Sequence, residues 1–84
     1  MGTFRPHATH DPEADAIYVY LTEGEAHRSK AVDDLRIIDY SRDGAVVGVE
    51  FLSVSGGIDL SDVPHHDKVE KLIGELNLGI RIFA

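Results

Sequence analysis

His10-Asp-Pro-Glu-Ala-Asp-Ala-Ile-Tyr-Val-Tyr-Leu21 decides how the rest of the chain is read. It opens on a turn signal, Asp11-Pro12, because Asp bonds its own backbone two residues on and X-Pro favours turn initiation. Ile17-Tyr-Val-Tyr-Leu21 follows at once and is β-branched, aromatic or aliphatic throughout, as strands prefer. Period two sends Ile17, Val19 and Leu21 to one face and Tyr18 and Tyr20 to the other. Neither set is polar, so the strand is expected to be buried on both faces.

Working outward, Thr3 to Thr9 is a candidate first strand with Phe4 as its one large apolar residue. Pro6 has no N–H for a ladder, which places that strand at an edge. After Leu21, Thr22-Glu-Gly-Glu25 turns the chain, and Ala26 to Val32 is polar enough to be an exposed edge, with Arg28 and Lys30 discouraging edge pairing. Leu35-Arg-Ile-Ile-Asp-Tyr40 and Ala45-Val-Val-Gly-Val-Glu-Phe-Leu52 read as a hairpin joined at Asp43-Gly44, where glycine supplies the positive φ of a short loop. Gly56-Gly57 ends the sheet region. Pro64 and Asp67 suit a helix start, and Val69, Leu72, Ile73 and Leu76 form a single apolar stripe at i, i+3, i+4 and i+7. Asn77 or Gly79 can close the helix, and Ile80 to Phe83 is a short last strand or a docked tail. The fold class is α+β: an antiparallel β-meander of four to five strands with one C-terminal helix packed on one face. The 84 residues make one domain, with the sheet at about 3–54, a connector at 55–63, the helix at about 64–77 and a tail at 78–84.

Composition narrows the classes of function. Eight Lys and Arg against fifteen Asp and Glu give a formal charge of −7, and the one basic run, Arg28-Ser-Lys30, is offset by Asp33 and Asp34. Nucleic-acid binding is disfavoured, because phosphate recognition needs clustered positive charge. A basic protein partner suits such a field better. No cysteine is present, so disulfides and thiolate chemistry are excluded. No apolar run approaches the roughly 20 residues that span a bilayer. Met-Gly-Thr-Phe-Arg-Pro lacks the apolar core of a signal peptide, and Pro6 stands where a myristoylation signal wants Ser or Thr. The expected location is the cytoplasm, with no membrane partner.

The central expectation is a surplus of apolar sheet. One amphipathic helix covers one face, and both faces are apolar. A three-residue loop at Asp43-Gly44 sets Tyr40 opposite Val46 and Arg36 opposite Glu50. Ile17, Val19, Leu21, Leu35, Ile37, Val47, Val49 and Phe51 then lie under the helix. The other face holds Tyr18, Tyr20, Ile38, Tyr40, Val46 and Leu52, the candidate interface residues, interrupted by an Arg36–Glu50 pair. Covering a patch of roughly 400 Å² contributes on the order of 10 kcal/mol before association costs of about 4–15 kcal/mol. Tyrosine fits an interface, having an apolar body and a hydroxyl that wants a partner. A homodimer, or docking on a protein partner, is the expectation.

Candidate chemistry is thin by comparison. Asp11, Glu13 and Asp15 alternate like calcium ligands but lack the Gly and distal Glu of a calcium loop, so they read as turn residues. Asp39 and Glu50 point to opposite faces in this register, and a shift of one residue would bring them together. His65 and His66 are adjacent, about 100° apart on a helix, and cannot chelate one ion as an i, i+4 pair can. No nucleophile elbow and no Gly-rich phosphate loop is present. No catalytic residue, metal ligand or cofactor is assigned.

Asp11-Pro-Glu-Ala-Asp-Ala-Ile-Tyr-Val, Ile38-Asp-Tyr40, Asp43-Gly44 and Val47-Gly-Val-Glu-Phe-Leu52, in that order, resemble domain-of-unknown-function family 2283 over about residues 8 to 55. Members usually carry an aromatic residue just before the Asp-Pro turn, where this chain has His10. The resemblance implies a small antiparallel sheet with a helix and no assigned activity, so no functional residue is carried over. Some members look like half of a toxin–antitoxin-like pair. The favoured function is a non-enzymatic interaction module. An antitoxin-like neutraliser of a basic protein is the alternative, and a small metal-dependent enzyme using Asp39, Glu50 and histidines is the third reading.

Overall fold

Turn chemistry starts the sheet in the computed structural model, which describes residues 2–84. Asp11 Oδ1 accepts the N–H groups of Glu13 (3.1 Å) and Ala14 (3.3 Å), reversing the chain between β1 (His7–Asp11) and β2 (Ala16–Tyr20). Asp15 leaves that turn in the left-handed region, φ 53°. Its carboxylate accepts the Ser55 N–H (3.0 Å) and hydroxyl (2.7 Å), and its carbonyl accepts the Val54 N–H (3.0 Å). The first Asp of the motif therefore makes the turn, and the last fastens it to a segment forty residues away.

β3 (Arg28–Asp33), β4 (Arg36–Tyr40) and β5 (Val46–Leu52) complete a five-stranded antiparallel sheet of order β1-β2-β5-β4-β3. This is the expected meander, β3 to β5 running up and down, with the β1–β2 hairpin laid against β5. The edges are β1 and the exposed β3, as their polar sequences require. β1 lies a few residues later than expected and includes His10, because its register is set by the Asp11 turn.

The β4–β5 turn closes as predicted, with Gly44 at φ 91°, Ser41 N–H bonded to Ala45 O (2.8 Å) and Tyr40 opposite Val46. Beyond it the register slips by one: Asp39 pairs with Gly48, Ile38 with Val49, Ile37 with Glu50 and Arg36 with Phe51. Val47 is the extra residue, and its carbonyl accepts both Leu21 N–H (2.8 Å) and Thr22 N–H (3.1 Å). A β-bulge here exchanges the two faces of β4 relative to β5.

That slip corrects several expectations. Ile38 is 4% exposed and belongs to the core, and Tyr40 and Val46 pack against the core from the same side. These three do not lie on the helix-free face. Arg36 also faces the core, so it does not pair with Glu50. Leu35, expected under the helix, is 48% exposed, and Ile37 turns away from the core. On β2, and on β5 beyond the bulge, the faces are as predicted: Ile17, Val19, Leu21, Val49 and Phe51 are buried, while Tyr18, Tyr20 and Leu52 lie opposite.

α1 (His66–Gly74) buries Val69, Leu72 and Ile73, with Leu76 half-buried, the stripe expected from the sequence. It starts two residues later than expected and ends three earlier. Tight turns carry the backbone on, with Leu76 N–H bonded to Ile73 O (3.0 Å) and Asn77 N–H to Gly74 O (3.1 Å), until Asn77 and Gly79 adopt positive φ. The helix does not roof the sheet alone. The connector holds a 3₁₀ turn (Val54–Gly56) and β6 (Ile58–Asp59), which pairs in parallel with β7 (Ile82–Phe83) from the tail. Val54, Ile58, Leu60 and Val63 then share the cover with α1. Among the described residues no helix is long and apolar enough to cross a membrane.

Candidate functional site

With one face sealed, the helix-free face carries the functional candidates. Register arranges it in rows across the sheet. One row runs Thr9, Tyr18, Glu50, Ile37 and Ala31, and the next runs His7, Tyr20, Gly48, Asp39 and Ser29. Leu52 extends the apolar part beside Leu35, whose carbonyl it bonds (2.8 Å). Tyr20 and Leu35 are the large exposed residues here, at 36% and 48%.

Tyr18 is held on this face by a hydrogen bond and by close packing. Its hydroxyl donates to Asp39 Oδ2 (2.7 Å), and Ser29 Oγ donates to Asp39 Oδ1 (2.5 Å), so β2, β4 and β3 are joined above the sheet. The ring reaches Asp39 by lying over β5 at Gly48. A Cβ on Gly48 would meet Tyr18 Cε1 and Oη at 2.5 Å and Val19 O at 2.6 Å. Glycine there is a close-approach residue, one of the roles of Gly inside a strand. Around Tyr18 the aromatic groups run on: Tyr20 at 4.5 Å between centroids, His7 stacked on Tyr20 at 4.7 Å and Phe4 beyond it at 6.3 Å.

Burial, and then the hydrogen bond to Asp39, hold the Tyr18 phenol well above the usual tyrosine range. The fold thus favours the neutral phenol. Stability from this preference is present below the ordinary tyrosine pKa of 10.0 and is lost as pH rises beyond it. An ultraviolet absorbance titration of the folded protein is expected to show one late-ionising tyrosine, absent in Tyr18→Phe. A Tyr18→Phe curve identical in shape to that of wild type, apart from amplitude, would contradict the assignment.

Asp39 and Glu50 share this face because of the bulge, contrary to the unslipped register. They do not form a joined pair: Asp39 is held by two hydroxyls, whereas Glu50 takes part in none of the side-chain hydrogen bonds or three ion pairs found among the described residues. Arg36, its expected partner, is 7% exposed on the other side. There its Nε and Nη2 donate to Asp33 Oδ2 (3.2 and 2.8 Å), and Nη1 donates to the carbonyls of Asp59 (3.1 Å) and Ser61. Arg36 is a structural clamp between the β3–β4 turn and the connector.

Beside the clamp a cleft of ≈ 340 Å³ opens between Leu35 and Phe83, floored by Phe51, Leu52 and Ile58. Asp33, Arg36 and Asp59 on its rim are engaged with one another, and the rest of its lining is mainly apolar. Asp11, Glu13 and Asp15 serve the turn. His65 and His66 are exposed at the start of α1, and His66 Nδ1 lies 3.1 Å from Asp67. Among the described residues no group of three or more His, Cys, Asp or Glu side chains is placed to hold a metal ion.

Fold and face together define a small α+β domain with one sealed and one open sheet surface. The chain belongs to a family described as "Protein of unknown function (DUF2283)", whose model matches residues 7–55, more than half its length. The matched stretch runs from β1 to the Asp15–Ser55 latch and so takes in the whole five-stranded sheet. No curated protein and no solved structure matches the chain.

Proposed function

We propose that the protein is a non-enzymatic interaction module that docks a protein partner on the helix-free face of its sheet. One observation carries this reading: the face is ordered for contact without being covered. Tyr18 is locked over Gly48 by its bond to Asp39, while Tyr20, Ile37, Leu35 and Leu52 present apolar surface around it. Large, pre-ordered aromatic groups lose little rotamer entropy on binding, which is the main cost of interface formation after loss of free tumbling. The charge of −7 favours a basic partner, for which an antitoxin-like neutraliser is one form. Self-association is the second reading, supported by the exposed Tyr20 and Leu52, and opposed by the carboxylates that now lie on this face. A metal-dependent activity has no comparable support.

A photo-crosslinking residue (benzoylphenylalanine) in place of Tyr20 tests the reading in the native host. One discrete adduct is expected from position 20, and none from the same residue at Glu70 on α1. Equal labelling from both positions, or none from either, would remove the docking face.

A further inference from the structure

We infer that the partner docked on this face sets an arginine side chain over Glu50. The inference rests on the docking reading and adds the chemistry of the occupant. Glu50 stands on β5, the middle strand of five, and its cross-strand neighbours on the face are Tyr18 and Ile37. The next residues along β5 on the same side are Gly48 and Leu52, so no donor on this strand reaches its carboxylate. That carboxylate is half-buried and makes no side-chain hydrogen bond or ion pair among the described residues.

Any molecule that covers the face takes that carboxylate out of solvent. Stranding a carboxylate in a dry interface is costly, whereas a charge-assisted bond to an incoming cation offsets the loss. An occupant that offers no donor over Glu50 is therefore penalised by the face itself, and a cationic donor offsets the loss best. A second copy fits less well than a cationic partner, because both faces would carry Glu50 and Asp39 and each chain has a charge of −7. Arginine suits the place better than lysine. Its planar fork pairs a carboxylate through two N–H groups, and its flat face packs on a ring such as Tyr18 or Tyr20, whose centroids are 4.5 Å apart.

Two blocked peptides, acetyl-Gly-Leu-Arg-Leu-Gly-amide and its citrulline counterpart, provide the probe. Citrulline keeps the shape of arginine and removes its charge. In amide NMR titrations of the full chain, the arginine peptide is expected to move the signals of Tyr18, Ile37, Glu50 and Leu52 saturably. The citrulline peptide should bind at least about tenfold more weakly. Glu50→Gln should cost the arginine peptide about the same factor, and Glu70→Gln, which removes the same charge from the helix, should cost nothing. Equal binding of the two peptides, an unaffected Glu50→Gln, shifts spread over every acidic surface, or no shift on this face would each overturn the inference. If the position-20 adduct forms but its crosslinked segment lacks a cation, the arginine is wrong and the docking face stands. If no adduct forms, the docking reading has failed first.

Discussion

Gly48→Ala is expected to destabilise the protein by about 3 kcal/mol. The new methyl group would sit 2.5 Å from the Tyr18 ring and hydroxyl and 2.6 Å from the Val19 carbonyl. The ring can swing aside, but it then gives up the Asp39 bond and its packing on Tyr20. The carbonyl belongs to the neighbouring strand and cannot move without parting β2 from β5. Overpacking of this kind costs about 1–3 kcal/mol, and the lost hydrogen bond adds about 1 kcal/mol. For a domain whose total stability lies in the range of roughly 5–15 kcal/mol, the loss is large. Urea unfolding of Gly48→Ala in wild-type and Tyr18→Ala backgrounds separates the two clashes. The penalty should shrink, without vanishing, once the ring is gone. A midpoint unchanged from wild type would show that the sheet does not need glycine here.

Arg36→Ala is expected to cost about 2–3 kcal/mol, chiefly from the lost packing of a buried side chain and from two backbone carbonyls left unpaired, since the Asp33 carboxylate itself stays in water. The side chain fills space beside Phe51 and satisfies the Asp59 and Ser61 carbonyls, none of which alanine can do. Arg36→Lys should recover little of this, since one ammonium cannot span Asp33 and both carbonyls. Arg36→Met, which keeps the volume, should fall between. The pH dependence gives a second readout. The Arg36 bond chiefly holds the Asp33 carboxyl below its usual 3.8, and the Ser61 N–H does the same for Asp59. A carboxyl with a lowered folded pKa stabilises the fold above its unfolded pKa. That contribution fades as pH falls below about 4. Wild type should therefore weaken below about pH 4, and Arg36→Met should weaken less steeply there. Parallel acid limbs for the two proteins would argue against the clamp.

Local rules made most of the fold legible and stopped at one residue. The Asp11-Pro12 turn, the Asp43-Gly44 hairpin and the Val69–Leu76 stripe each depend on neighbours in sequence, and each is present. The face assignment of β4 failed because a bulge depends on how two strands twist together. Its mark was nonetheless in the chain: Gly48 interrupts an otherwise apolar strand, and isolated glycine there signals a bulge or a close backbone approach. Both occur at this position. Reading it would have placed Ile38 in the core with Tyr40 and Val46 against it, and Asp39 and Ile37 on the face of Tyr18. The Asp15–Ser55 latch and the Arg36 clamp had no local signal, since each links segments distant in sequence. The same holds for β7, whose partner β6 is only two residues long.

The junction of β2 with β5 also governs how quickly the molecule can assemble. β1 and β2 meet by closing residues 12–15, and β4 and β5 by closing residues 41–45. Joining Tyr20 to Gly48 closes residues 21–47, at an added entropic cost on the order of 2 kcal/mol. The short hairpins can zip up within microseconds, and the long closure between them follows more slowly. Val19 and Val49 face each other across that junction, so truncating either is expected to slow folding more than truncating a residue of the hairpin turns.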